Sequence, residues 1–144
     1  MDWDVNNSGI VTYKLACTQC VSDPTSCSTT DQAMWTDHCL QDGDSTFPPS
    51  LTTEASDVVV QKGTNKYVDA NSAFVDNTQT LRTSLGSTLE EHGIDTLYVA
   101  GIATDVCVKW TVIDALAAHY SVKVIRDATA AVLGDQANAG PVGF

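Results

Sequence analysis

The sequence predicts an α/β fold in which a mostly parallel sheet lies between layers of helices. Apolar, strand-like runs alternate with helix-length segments after residue 56, and each predicted helix separates two predicted strands. Strands joined by crossover helices run parallel and bury both faces of their sheet. The length of 144 residues and the 43% hydrophobic content fit one globular domain. We therefore expect a single domain over residues 1–144, with a three-layer α/β/α core over residues 56–132.

The elements of this core follow the order β-α-β-α-β. The first is a strand over residues 56–62, because valines fill its centre and Gly63 ends it. A helix over residues 80–92 follows, since leucines recur at every fourth position and Gly93 stands at a helix C-cap. Three further elements complete the order: a strand over residues 95–102, a helix over residues 105–120 and a strand over residues 122–125.

Residues 1–50 are different in character. They contain many Ser, Thr, Asp and Pro residues and little hydrophobic periodicity. Such composition is typical of loops, and loops supported by a rigid core often carry functional side chains. We expect this segment to be mostly loop, and we expect no further regular element after residue 132.

The charge of the chain excludes some classes of partner. A formal net charge of −11 and a pI near 4.2 provide no basic surface for phosphate groups. Nucleic acids and anionic membranes are therefore not expected partners. No apolar run is long enough to span a bilayer, and the start of the chain is not the basic region of a signal peptide. We expect a cytoplasmic protein with a small, uncharged substrate.

Four of the five cysteines lie in the first third of the chain, at positions 17, 20, 27 and 39. Three interpretations stay open for them: reduced thiols, a disulfide, or half of a zinc site at Cys17 and Cys20. Cys107 stands apart from this group. It follows a predicted strand and opens a predicted helix, where backbone N–H groups favour a thiolate, although a buried cysteine is also a common hydrophobic packing residue.

The segment around Cys107 resembles a known family. The string GIATDVCVKW at residues 101–110, with DAL at 114–116 and DAT at 127–129, is similar to the nucleophile region of nicotinamidases within the isochorismatase-like hydrolases. The resemblance implies the fold of that family and a nucleophilic Cys107. It also implies a cis peptide between Ala103 and Thr104, an oxyanion hole at Thr104 and Cys107, and a substrate contact at Ala103.

Two further segments carry the resemblance. VQKGTN at residues 60–65 and DANSAF at residues 69–74 resemble the segment of the catalytic lysine, which assigns Lys62 to an Asp-Lys-Cys triad. Asn71 departs from the pattern, because nicotinamidases usually have an aromatic residue there. WTDHCLQD at residues 35–42 resembles the metal-binding segment, which implies that Trp35 walls the ring pocket and that His38 binds a divalent Zn, Mn or Fe ion.

The start of the chain fits the family in two competing ways. In the first, Asp2 is a metal ligand and Asp4 replaces the second ligand, a histidine; the triad aspartate is then absent. In the second, Asp4 is the general base of the triad. The resemblance covers about residues 35–132, and we expect a version of the family truncated at both ends.

These features predict hydrolysis of nicotinamide to nicotinate and ammonia through a cysteine thioester. The reaction is impaired if no carboxylate serves as general base, because general acid–base catalysis contributes about 10²–10⁴-fold. One alternative is an inactive homologue that serves as a structural or assembly subunit. Another is a hydrolase for a different small amide, which Asn71 motivates. We also expect a homo-oligomer, or a partner chain that covers the missing sheet elements.

Overall fold

The computed structural model describes the backbone and most side chains of the second half of the chain and several shorter parts of the first. The described residues are 4–5, 10–14, 29–33, 39–40, 43, 45–65 and 68–132. The chain divides into two compact units, Met1–Val59 and Val60–Phe144.

The first unit contains a three-stranded antiparallel sheet. Its strands are β1 (Asp4–Val5), β2 (Ile10–Lys14) and β3 (Thr29–Ala33), in the order β1-β2-β3. Sequence analysis identified none of them in the segment expected to be mostly loop. They are short, and the sequence TTDQA of β3 is polar except for Ala33. A strand without an apolar face lacks the alternating pattern by which strands are predicted.

The second unit contains the predicted parallel pair of strands and both predicted helices, which confirms the α/β fold class. Helix α1 (Leu85–Glu91) precedes strand β4 (Thr96–Ile102), a π-helical turn (Thr104–Val108) and helix α2 (Lys109–Ala117). Strand β5 (Ser121–Ala130) follows and pairs with β4 in parallel. It is longer than predicted, because its second half is polar and gave no signal.

The prediction of a strand over residues 56–62 is wrong. None of this segment is a strand, and Val58 and Val59 are 59% and 61% exposed. Valines favour extended backbone, but a strand also needs a neighbouring strand as hydrogen-bond partner. The strands of the described part of the chain pair only among themselves in two separate sheets, and neither sheet includes this segment.

Both helices end in the same hydrogen-bond pattern. After α1, the N–H of Ile94 donates to Leu89 O and that of Gly93 to Glu90 O, each at 3.0 Å. Gly93 has a φ of +63°, as the predicted C-cap requires. After α2, His119 takes the equivalent left-handed position with a φ of +67°.

Helix α1 begins five residues later than the predicted start at residue 80. Residues before Leu85 are engaged elsewhere: Val75 and Arg82 form an isolated antiparallel bridge, and the N–H of Asp76 donates to Leu81 O at 3.0 Å. The backbone there is held as part of a folded loop, so the helix starts only after it. Leu85 N–H donates to the Thr83 hydroxyl at 3.1 Å, which satisfies one of the free donors at the helix start.

The core of the second unit lies on one face of the β4–β5 pair. Phe74, Val75 and Ala115 form its centre, and apolar side chains from α1, β4 and β5 pack against them: Leu85, Leu89, Leu97, Tyr120 and Val122. Alternate residues of the two strands point away from this core. Tyr98 is 65% exposed and Ile102 is 76% exposed. The described helices thus cover one face of the pair.

No helix in the described ranges is both long and apolar enough to cross a bilayer.

Candidate active site

Cys107 lies in the π-helical turn that joins β4 to α2. The peptide bond between Ile102 and Ala103 is cis, and the N–H groups of Val106 and Val108 both donate to Ala103 O, at 3.1 and 3.0 Å. Ala103 and Val108 are buried, while Cys107 is half-buried. The turn therefore fixes the backbone on both sides of the cysteine and leaves its thiol partly accessible.

The cis peptide corrects one expectation. Sequence analysis placed it between Ala103 and Thr104, and it lies one residue earlier, directly after the last residue of β4. The two bonds share Ala103, and neither contains a proline that would mark one of them in the sequence. The roles of Thr104 and Cys107 in an oxyanion hole stay predictions.

Strand β4 reaches this turn through an irregularity at Gly101. Val99 pairs with Val124, but Gly101 pairs with Thr129. The register therefore shifts here, because β5 contains more residues than β4 between the two pairs. Gly101 has a φ of +112°, a conformation that side chains other than hydrogen rarely allow. The glycine thus lets the strand end where the cysteine turn begins.

Lys62 is exposed, and its ammonium group has a defined partner. The Nζ atom donates to the carbonyl oxygen of Ala70 at 2.6 Å, and Gly63 follows in a left-handed conformation with a φ of +66°. A cavity of about 40 Å³ lies beside the lysine and is lined in part by Asp76 and Arg82. An apolar cavity that binds benzene measures about 150 Å³, so this one is too small for an aromatic ring.

Residues 69–83, which hold the Lys62 ammonium through Ala70 O, form the segment that holds Lys62, and Asp76 organises this segment. Its buried carboxylate accepts hydrogen bonds from the N–H groups of Thr78, Thr80 and Leu81 and from both threonine hydroxyls, at 2.9 to 3.2 Å. Burial raises the pKa of Asp76, but these hydrogen bonds, with Thr80 N–H foremost, outweigh it and hold the pKa below its ordinary value. Asp76 is a charged residue that fixes a loop.

Two threonines clamp Ala73, at the centre of this segment. The Thr111 hydroxyl accepts a hydrogen bond from the Ala73 N–H at 3.0 Å and donates to Cys107 O at 2.7 Å. The Thr83 hydroxyl donates to Ala73 O at 2.6 Å. Through Thr111 and Ala73, the segment that holds Lys62 is bonded to the turn that holds Cys107.

Sequence analysis singled out neither Asp76 nor the two threonines. The run Asp76-Asn77-Thr78-Gln79-Thr80 did contain a local signal, because an Asp followed by threonines two and four residues later suits a side-chain-capped turn. Thr83 and Thr111 gave none, since their partner at Ala73 is distant in sequence.

Asn71 lies at the position where nicotinamidases usually have an aromatic residue. It is half-buried, and its N–H donates to the side-chain oxygen of Asn77 at 2.9 Å. The hydrogen bond holds the backbone of Asn71 within the loop that Asp76 organises. The side chain of residue 71 is thus carried by an ordered segment beside Ala70.

Several predicted site residues lie outside this arrangement. Asp2, Trp35 and His38 are not among the described residues, as is true of Cys17, Cys20 and Cys27. Asp4 belongs to β1, where its backbone pairs with Thr12. Among the described side chains, the first of which is that of Cys39, no carboxylate is hydrogen-bonded to Cys107, and no group of three or more His, Cys, Asp or Glu residues is placed to hold a metal ion.

Comparison with known proteins agrees with this geometry. Residues 16–140 match the isochorismatase domain family. Over 97 residues the chain is 47% identical to the nicotinamidase of Escherichia coli strain K12, which covers 67% of this chain and 46% of that protein. Over 102 residues it is 40% identical to the nicotinamidase of Acinetobacter baylyi, with 70% and 48% covered. The chain thus spans about half the length of these relatives.

A solved structure is similar in its backbone as well. The nicotinamidase pyrazinamidase of Acinetobacter baumannii superimposes with a TM-score of 0.70 at 38% sequence identity, over 74% of this chain and 52% of that one. The family match includes the parallel strands and the turn with Cys107. The chain belongs to the isochorismatase family, and the three relatives named above are nicotinamidases.

Proposed function

We propose that this protein hydrolyses nicotinamide to nicotinate and ammonia, with Cys107 as the nucleophile. One observation carries the proposal: Cys107 lies in a tightly bonded turn between a parallel strand and a helix, and hydrogen bonds connect that turn to the segment of Lys62. The likeness to nicotinamidases supplies the substrate.

The first half of the reaction forms a thioester. The Cys107 sulfur attacks the carboxamide carbon, the C–N bond breaks, and the nitrogen leaves as ammonia after gaining the proton that the Cys107 thiol gave up. Backbone N–H groups of the turn, at Thr104 and Cys107, stabilise the negative charge on the carboxamide oxygen. The ammonium group of Lys62 favours the thiolate by its charge.

The second half releases the acid. Water attacks the thioester carbon, the C–S bond breaks, and nicotinate leaves as the thiol is restored. Across both halves, one nicotinamide and one water give nicotinate and ammonium. We propose that Asp4 serves either as the base of this cycle or as a metal ligand.

Alkylation of the thiols tests the nucleophile before any substrate is added. Cys39 is exposed and Cys107 is half-buried, and both are free thiols. If Cys107 is the activated nucleophile, iodoacetamide at neutral pH labels it faster than Cys39 despite its lower exposure, as peptide mass spectrometry resolves. Ammonia release from nicotinamide, with and without Zn²⁺, Mn²⁺ or Fe²⁺, tests the reaction. A chain that releases no ammonia under any of these conditions and labels Cys39 first is not such an enzyme.

We further propose that His38 and Asp2, with Asp4 as a third candidate, bind a divalent Zn, Mn or Fe ion. These side chains would hold the ion, which would supply a positive charge for the ring nitrogen of nicotinamide and so help to orient its amide. Metal content after dialysis is the direct measurement: the purified protein retains about one ion per chain, and His38→Ala retains much less. Equal metal content in the two proteins would remove His38 from the site.

A second candidate function is that of a structural or assembly subunit. It is favoured by the exposed apolar face of the β4–β5 pair, where Tyr98, Ile102 and Ile125 are at least 43% exposed. Under this alternative, a homo-oligomer or another protein covers that face. Molecular mass in solution and ammonia release together separate the two candidates, because an active monomer contradicts the assembly function. An active protein that prefers another small amide to nicotinamide would instead point to Asn71 and the pocket wall.

A further inference from the structure

We propose that Thr111 is a positioning residue for the Cys107 nucleophile, because its hydroxyl ties the cysteine turn to the segment that holds Lys62. The inference rests on the proposed function in one respect, that Cys107 is the nucleophile. It adds a residue that touches neither substrate nor the reacting sulfur but fixes the backbone from which the sulfur projects.

The two hydrogen bonds of Thr111 have a fixed direction. A carbonyl oxygen only accepts, so the hydroxyl donates to Cys107 O at 2.7 Å; an amide only donates, so the hydroxyl accepts from the Ala73 N–H at 3.0 Å. One proton and one lone pair of the same oxygen are used at once. The hydroxyl therefore acts as a bridge between residues 73 and 107, and neither of its bonds can be reversed.

The far side of the bridge leads to Lys62. Ala73 lies three residues from Ala70, whose carbonyl oxygen holds the Lys62 ammonium at 2.6 Å. The backbone between them is tightly packed: Ala70 and Ser72 are 4% exposed, and the Phe74 N–H donates to the Ser72 hydroxyl at 3.1 Å. Close packing of this kind leaves little free space for a residue to shift by itself. The Thr111 hydroxyl is thus joined, through Ala73 and the buried residues before it, to the carbonyl that holds Lys62.

The simpler interpretation is that Thr111 makes the ordinary contact of a helical threonine. Threonine hydroxyls often bond to the carbonyl four residues earlier in a helix, and Cys107 is four residues before Thr111. That contact alone would not engage Ala73, which is 38 residues away. The long-range bond distinguishes a bridge from a local helix contact.

Thr83 offers a matched control. Its hydroxyl bonds to the same residue, donating to Ala73 O at 2.6 Å, but its other partner is the Leu85 N–H at the start of α1 rather than the cysteine turn. Replacing either threonine by valine keeps the shape and removes one hydroxyl from Ala73. Only the Thr111 replacement also removes a hydrogen bond from Cys107.

The experiment compares Thr111→Val, Thr111→Ser and Thr83→Val. Iodoacetamide labelling of Cys107, referred to Cys39 in the same molecule, falls several-fold in Thr111→Val. The kcat for nicotinamide falls by about 10- to 100-fold, as expected for a misplaced reacting group, while KM stays within about twofold. Thr111→Ser restores both values. Thr83→Val lowers the melting temperature but keeps the labelling ratio of the natural protein at temperatures where it is folded.

The inference is overturned if Thr111→Val and Thr83→Val label alike, or if serine fails to restore what valine removes. Should Thr111→Val not fold, the contrast of Thr111→Ser with Thr111→Ala gives the same answer. Labelling needs no substrate. A chain that releases no ammonia but whose Cys107 loses reactivity in Thr111→Val and regains it in Thr111→Ser therefore supports the bridge and contradicts only the choice of nicotinamide.

Discussion

The segments that hold Cys107 and Lys62 are built in different ways. Cys107 is placed by regular structure: a strand ends, a turn closes on Ala103 O, and a helix follows. Lys62 has no helix or strand around it. Its ammonium group donates to Ala70 O, in a segment where side chains such as Asp76 accept hydrogen bonds from nearby backbone N–H groups. Cys107 is therefore fixed by backbone geometry, whereas Lys62 is fixed by particular polar side chains.

The largest effect is expected at Cys107. Cys107→Ser keeps the size of the side chain but replaces the thiolate by a much weaker nucleophile, so kcat for nicotinamide falls by at least about 10³-fold. The turn does not depend on the sulfur, so the melting temperature changes little. Ammonia release and thermal unfolding measure the two quantities. Residual activity within tenfold of the natural protein would rule out Cys107 as the nucleophile.

Removal of the Lys62 charge is expected to have the next largest effect on activity. Lys62→Met keeps the length of the side chain and removes the ammonium group, which lowers kcat by about 10²-fold. Because Lys62 is exposed, stability should be nearly unchanged. Lys123→Met, on the exposed face of the sheet beside Tyr98, is the matched control. Equal activities of the two variants would show that Lys62 takes no part in the reaction.

Asp76 tests whether side chains really hold the lysine segment. Asp76→Asn removes the charge that five donor groups share, and a buried charge-assisted network of this kind contributes about 2–3 kcal/mol. Urea denaturation measures the loss. Asp95→Asn removes an exposed carboxylate that bonds to the Thr96 hydroxyl and should cost much less. Similar losses in the two variants would contradict the assigned role of Asp76.

Asp76 also predicts the direction of a pH dependence. Its pKa in the folded protein lies below the value in the unfolded chain. The stabilisation is therefore complete above the unfolded pKa, near about 3.9, and is lost as the pH falls through the folded value. Between about pH 5 and pH 2 the free energy of unfolding should fall less steeply in Asp76→Asn than in the natural protein. Parallel curves would contradict the lowered pKa.

The smallest effects probe the backbone of the cysteine segment. Gly101→Ala places a side chain at a φ of +112°, with no atom within 4 Å of the added Cβ, so its cost of about 1–2 kcal/mol is conformational alone. Gly86→Ala, in α1, meets only Phe74 at 4.0 Å and should stabilise by about 0.5–1 kcal/mol. Thermal unfolding of both variants measures the contrast. A change in melting temperature of the same sign in both variants would contradict the predicted contrast.

The same contrast explains what could be predicted from the sequence. Strand β4, helix α2 and Cys107 between them were predicted because an apolar strand and a helix with periodic apolar residues can be recognised from the local sequence. The strand over residues 56–62 was wrong, because pairing depends on a distant neighbour that local propensity does not reveal. Asp76, Thr83 and Thr111 were missed for a related reason. Their roles depend on which backbone groups tertiary folding brings to them.

The hydrogen bond between Ala73 and Thr111 makes one amide proton a reporter on the whole site. It closes a contact between residues 38 apart, so it forms only when the lysine segment is docked on helix α2. Local opening of that docking would expose the Ala73 amide to solvent while the helix itself stays intact. The exchange rate of this single proton with deuterium therefore measures how often the two halves of the site separate in the resting protein.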